Sequence, residues 1–167
     1  MEELRVVARY VAETAEDVLD VFEGTRPDDL RPRAAIAAAW EFVGGASRSK
    51  LQRVTSLDAH RAAAAAGTET ARLAAQAAGD AASAAYLHPI AKGHQVGHIL
   101  RAAANAARIA EINDGPAARD STLRRARQRA TPVLIDVLCR YPPAPSGRSP
   151  VAQLMATLDE ALRAPSR

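Results

Sequence analysis

The sequence predicts an all-α fold, a single-domain bundle of about seven helices with Ala- and Gly-rich helices closely packed at its centre. Three observations carry this expectation. Roughly a quarter of the 167 residues are Ala, the residue with the best intrinsic helix propensity. Aromatic residues make up only 4% of the chain, too few for a β-sandwich or barrel, whose pleated faces favour Val, Thr, Tyr and Phe. Apolar residues also recur at spacings of three and four along most of the chain.

The first stripe is Leu4, Val7, Val11, Val18, Leu19 and Phe22, with Glu13, Glu16, Asp17 and Asp20 largely opposite. It predicts one helix that ends at Gly24, before the turn TRPDDLRP. Pro32 suits the first position of a second helix, where an amide hydrogen would be unpaired in any case. That helix runs to about Val43 and stops at Gly44-Gly45. Ser47 or Ser49 caps a third helix, with apolar positions Leu51, Val54 and Leu57, which continues through LDAHRAAAAA to Gly67. Thr68 caps a fourth, with Glu69 and Arg72 outside and Leu73 inside. Gly79 sits in its middle at a cost of about 1 kcal/mol against Ala, and close approach of another backbone is the expected reason. Pro89 ends this helix near Leu87-His88.

A fifth helix is expected from Pro89 to about Asn113. Gly93 and Gly97 place two small residues on one of its faces, and Ala-rich turns come after them. Small faces let helix axes approach at the short end of the roughly 8–10 Å range, so helices three to five form the tight centre. Asn113-Asp114-Gly115-Pro116 signals a loop. Ser121 or Thr122 opens a sixth helix, which Pro132 kinks or restarts and which presents Val133, Leu134, Val137, Leu138 and Tyr141. A Pro-rich connection near 142–150 leads to a last helix, capped by Ser149 and begun by Pro150, that buries Val151, Leu154, Met155, Leu158 and Leu162. This helix has one apolar face and needs the same core, so residues 1–167 read as one helical domain.

Charge is unevenly placed. The chain has 22 Lys and Arg against 19 Asp and Glu, a net charge of +3. Residues 116–167 hold nine Arg and four acidic residues. Arg124, Arg125, Arg127 and Arg129 are the candidates for a nucleic-acid contact. No aromatic residues interleave with them and no groove-reading motif is present, so a solvated helix face is the expected role. The single cysteine, Cys139, excludes an intramolecular disulfide and a Cys-rich zinc site, and a buried, inert thiol is expected. Trp40 is expected to anchor the core. The N-terminus has acids where a signal peptide needs a basic region, and no stretch approaches about 18 apolar residues, so no membrane span is expected and the cytoplasm is the simplest placement. No phosphate loop, nucleophile elbow or EF-hand appears, and no cofactor is predicted.

The histidines are His60, His88, His94 and His98. His94 and His98 are four apart on a helix, hence neighbours on one face and a workable two-point site for a divalent metal. His88, His94 and His98 are the candidate metal ligands, with Asp58, His60 or Asp80 as further donors from adjacent helices. Asp80 lies in AAGDAASAAY, a segment that packs inside the bundle. A carboxylate there needs a partner, and His60, His98 or Arg61 could supply it. Asp80, His60 and His98 are thus the candidate catalytic residues of an acid–base or metal-dependent enzyme, with a structural polar network as the expected reading. Asp58 and His60, two residues apart on a helix, face opposite ways and cannot act as one unit.

Phe22-Glu23, Arg31-Pro32-Arg33, Asp58-Ala59-His60, Tyr86-Leu87-His88-Pro89 and Gly97-His98 together carry a family resemblance. Over about residues 4–160 the chain resembles the small all-helical Imm-5-like immunity proteins of bacteria, its later segments looking like an actinobacterial branch. Some relatives there carry an exonuclease label, yet no nuclease metal motif or Walker motif is present in this chain. It departs from the family in having Gly79-Asp80 where many members have Gly-His. The resemblance implies an all-α fold and a cytoplasmic binding protein that blocks a toxin by protein–protein recognition without catalysis. A basic chain does not suit a basic nuclease toxin, against which an acidic face is expected. The alternatives are the His/Asp enzyme and nucleic-acid binding through the Arg-rich helix; a homodimer through an Ala-rich face stays open.

Overall fold

The computed structural model describes residues 1–89 and 92–164. Ile90 and Ala91, within the span expected of the fifth helix, lie outside the described residues. Among those described the chain forms nine α-helices and no strand. The helix α1 (Glu2–Glu16) starts with Glu2 and Glu3 in its first turn, where acids complement the helix dipole. The expected single first helix breaks at Asp17-Val18, and α2 (Leu19–Glu23) continues. Val18, Leu19 and Phe22 are nevertheless buried as the stripe requires. No Gly or Pro marks the break, and the apolar spacing runs straight across it.

The helix α3 (Arg31–Val43) carries Pro32 in its first turn and stops at Gly44, with Gly45 next at φ +108°. Ser49, not Ser47, caps α4 (Lys50–Ala64): its Oγ accepts from the Leu51 amide at 3.2 Å, while Gln52 Oε1 accepts from the Ser49 amide at 2.9 Å. Each residue satisfies an amide that the first turn would leave unpaired. Thr68 caps α5 (Glu69–Ser83), which tightens into a 3-10 turn at Ala84–Tyr86. The helix α6 (His94–Asp114) ends at Gly115, whose φ of +87° breaks it. The next helix, α7 (Pro116–Arg129), then starts at once, earlier than Ser121 or Thr122. The expected loop is a single glycine, and Pro116 fills a first-turn position that needs no amide hydrogen. Thr131 and Pro132 restart the chain as α8 (Pro132–Cys139), and Ser149 caps α9 (Pro150–Arg163).

The central helix α5 buries Ala71, Ala74, Ala75, Ala77, Ala78, Ala81 and Ala82, and α6 presents Ala102, Ala103, Ala106 and Ala107 to its neighbours. Methyl-sized side chains let α4, α5 and α6 lie close together. Larger side chains fill the flanks, among them Phe22, Phe42, Ile99, Leu134, Leu138 and Leu158. One apolar cluster runs from Val7 in α1 to Leu162 in α9.

Two expectations about burial are overturned. Cys139 is exposed, because α8 buries Leu134, Val137 and Leu138 and turns its last residue outward. The apolar positions of α4 do not face the core: Leu51 is 41%, Val54 40% and Leu57 53% exposed, and the buried face is Gln52, Ser56, Ala59, Ala62 and Ala63. The small face wins along most of α4 because it lies against an alanine wall, and the longer Gln52 is admitted at its start where its amide finds a backbone carbonyl. Its polar members are satisfied: Gln52 Nε2 donates to the Ala38 carbonyl at 3.1 Å and Ser56 Oγ to the Gly79 carbonyl at 2.8 Å. Trp40 is half-buried against the core, with its indole N–H on Glu16 Oε1 at 2.8 Å.

Candidate functional site

A polar cluster built by α4, α5 and α6 interrupts the alanine wall. Asp80 is fully buried on α5. Its partner is Arg101 on α6, whose Nε donates to Oδ2 at 2.8 Å and whose Nη2 donates to Oδ1. This fork-on-fork geometry is the strong form of an Arg–carboxylate pair. Arg61, named from the sequence as a candidate partner, instead holds Asp58 at 2.9 Å. His60 approaches from α4, its Nε2 3.7 Å from Asp80 Oδ1, beyond hydrogen-bond reach. Its ring lies on Gly79: a Cβ there would stand 2.7 Å from Nε2 and 2.8 Å from Cδ2. The close approach that keeps this glycine is therefore an imidazole, not a backbone. His98 sits on the other flank, Nδ1 3.3 Å from Ser83 Oγ, which also donates to the Asp80 carbonyl at 3.0 Å.

Burial holds both His60 and His98 below the ordinary imidazole value, although the Asp80 charge pulls each of them upward. Arg101 is raised, chiefly by its hydrogen bonds to Asp80. The cluster thus brings together the three candidate catalytic residues, Asp80, His60 and His98, but inserts a guanidinium among them. With both Asp80 oxygens accepting from one Arg, the carboxylate contacts neither imidazole by a hydrogen bond. What the arrangement does is tie α5 to α6 and seat α4 on Gly79.

His94 and His98 lie within electrostatic reach of each other on α6, as their spacing predicts. His98 faces Ser83, His94 Nε2 lies 2.9 Å from the Gln95 side-chain amide, and the His88 backbone is held by Gln95 and by Tyr141. Among the described residues no group of three or more His, Cys, Asp or Glu is placed to hold a metal ion. Of the arginine candidates, Arg129 is an internal tie: it reaches Glu13 Oε2 at 3.3 Å and Thr14 Oγ1 at 3.2 Å on α1, and Asp17 Oδ2 at 2.9 Å at its C-terminal end. Arg124, Arg125 and Arg127 are exposed on α7. No helix among the described residues is long and apolar enough to cross a membrane.

Arg101 is the residue that sequence reasoning missed. A signal was present, since His94, His98, Arg101, Asn105 and Arg108 recur at steps of four and three along α6. That is a polar seam along one face of α6.

Comparison with known families decides the relationship. Residues 1–132 match the family described as Imm-5 like putative immunity protein. The chain belongs to that family. The match spans α1 to α7, with α8 and α9 almost wholly beyond it. No curated protein and no solved structure matches the chain. The motif residues that carry the resemblance are structural ties in this Imm-5-like protein. Phe22 is in the core, and Glu23 accepts both arms of the Arg33 fork at 2.7 Å. Arg31 closes on Asp29 at 2.6 Å, and His60 rests on Gly79.

Proposed function

We propose that this chain is an immunity protein that works in the cytoplasm by stoichiometric recognition of a protein toxin, with no catalysis of its own. Membership of the Imm-5-like family over residues 1–132 carries the reading. The closure of Asp80 by Arg101 supports it, because a carboxylate held in a guanidinium fork is poorly placed to move protons. The continuous apolar cluster from α1 to α9 supports treating the whole chain as one folding and binding unit.

Stoichiometry tests the mechanism. A candidate protein toxin is titrated with the purified chain and its residual activity monitored over time. Blocking by complex formation gives complete, time-independent inhibition at one equivalent, together with a one-to-one complex on size exclusion. Progressive inactivation by a small fraction of an equivalent would mean turnover and would remove the binding mechanism.

A further inference from the structure

The outer face of α4 has the wrong composition for a face turned to water. Leu51, Val54 and Leu57 recur at steps of three and stay 41%, 40% and 53% exposed, while Gln52 and Ser56 are buried beneath them. Single exposed apolar residues need no explanation, but a contiguous row on one helix marks an interaction surface. The start of the same helix gathers cations around one ring. Tyr86 is pinned there by its hydroxyl, which donates to the Ser49 carbonyl at 2.6 Å. The Arg48 and Arg53 guanidinium groups lie 5.2 and 4.8 Å from its centroid, and Lys50 is exposed between them in sequence. Arg31, Arg33, Arg129 and Arg140 each grip a carboxylate. Among the described residues Arg48, Lys50 and Arg53 have none, as is also true of Arg9, Arg72, Arg124 and Arg127, but these three alone flank the apolar row; the one hydrogen bond of Arg48 is to the Ala85 carbonyl at 3.4 Å.

We infer that this face is where the partner docks, and that the partner presents an acidic amphipathic segment: an apolar ridge seated on Leu51, Val54 and Leu57, flanked by carboxylates that pair with Arg48, Lys50 and Arg53. The inference rests on the immunity reading above and adds the surface and the chemistry of the partner. Charge complementarity selects the occupant. A second copy of this chain would bring the same cations against these, and like charges facing each other oppose docking. Three side chains are also a small fraction of the roughly 800 Å² per partner that a stable interface buries. They serve as the central anchor of a larger contact, rimmed by ion pairs that set orientation. A net charge of +3 favours the same acidic partner.

The test uses the full chain and two synthetic amphipathic peptides with the same leucine face, one flanked by glutamates and one by lysines. Fluorescence anisotropy is expected to show the glutamate peptide binding at least about tenfold more tightly. Amide shifts should centre on Arg48 to Leu57, and the preference should be lost in Lys50→Glu/Arg53→Glu. Val54→Ser/Leu57→Ser, on exposed positions, should abolish binding with the helical spectrum unchanged. Equal affinity for the two peptides, no binding of either, or binding that survives Val54→Ser/Leu57→Ser overturns the assignment. So does a concentration-dependent dimer that Leu57→Ser dissolves, since a second copy would then cover the face. The toxin titration separates the two readings. Neutralisation by Val54→Ser/Leu57→Ser at the wild-type stoichiometry removes this surface and leaves the immunity reading. Selective peptide binding by a chain that neutralises no toxin leaves the surface and removes that reading.

Discussion

At Gly79 the space of a missing methyl is taken by the His60 ring, whereas a Cβ on Gly97 would meet nothing within 4 Å. The two glycines should therefore respond differently to Ala. Gly97→Ala gains helix propensity with no clash and should raise stability by about 0.5–1 kcal/mol in urea unfolding. In Gly79→Ala the same gain is offset by expulsion of the imidazole, and NMR titration should show the His60 midpoint rising toward the ordinary value as its burial is lost. An unmoved midpoint would mean that the ring does not depend on Gly79. The Asp80–Arg101 pair is asymmetric in another way. Asp80 is sealed, but the Arg101 side chain is 39% exposed and can turn to water. Arg101→Ala strands a buried carboxylate and should cost about 3 kcal/mol; Asp80→Ala leaves a cation that water can partly solvate and should cost about 1–2 kcal/mol. Equal losses in denaturant melts would contradict this burial argument. The imidazoles set the pH dependence. His60 and His98 are held below 6.5 by burial in the folded chain. The unfolded chain therefore binds more protons than the folded one as pH falls below about 6.5, and stability must decline there. The urea midpoint should drop between about pH 7 and about pH 5, and His60→Gln/His98→Gln should flatten that slope. Glu23 and Asp29, held low by Arg33 and Arg31, lose their contribution only at more acid pH.

At the level of the helix, punctuation is set by local chemistry and could be read from the sequence. Ser49, Thr68, Thr131 and Ser149 each accept an amide of the first turn, which is what short hydroxyl side chains do at an N-cap. The sequence left Ser47 and Ser49 open, and the capping box decides between them: Ser49→Ala should cost about 1 kcal/mol in thermal or urea melts, and Ser47→Ala close to nothing. A helix's existence depends on neighbours along the chain, but the face it buries depends on what lies opposite. For α4 Leu51, Val54 and Leu57 read as core from their spacing, yet the opposing surface is alanine-rich and takes Ala59, Ala62, Ala63 and the hydrogen-bonded Ser56 and Gln52. Arg101 was hidden for a related reason. Asp80 demanded a partner, but which of several cations reached it depended on the register of α5 against α6. The break between α1 and α2 has no Gly or Pro and keeps the apolar period, so no local signal existed. At the start of α7 the signal did exist, in Gly115-Pro116, where the loop is shorter than its four-residue turn motif suggests.

For the whole molecule the question is whether the family-matched region, residues 1–132, can fold without α8 and α9. The core argues that it cannot. Leu134, Val137 and Leu138 of α8 and Leu158 and Leu162 of α9 belong to the same apolar cluster as Val7, Val11 and Phe22. On α6, Ala104 and Ala107 are covered by Leu154 from α9. The polar ties are equally integral. Asp159 is buried, accepts from the Ala144 amide at 2.9 Å, and holds Arg163 Nε at 2.7 Å. Arg163 in turn donates to the Tyr141 and Leu138 carbonyls, each at 3.0 Å, locking α9 to the end of α8. Fully burying a leucine-sized side chain is worth about 1.5–3 kcal/mol, and domains hold only about 5–15 kcal/mol in all. Removing several such side chains together with two helices therefore exceeds the margin. A chain stopped after residue 132 is expected to lose its cooperative thermal transition and to bind a hydrophobic dye at temperatures where the full chain stays folded. Arg163→Ala, which cuts only the polar lock, should keep the transition but lower its midpoint. A truncated chain that melts cooperatively at the full-length midpoint would show that α8 and α9 are appended to a self-sufficient core rather than part of it.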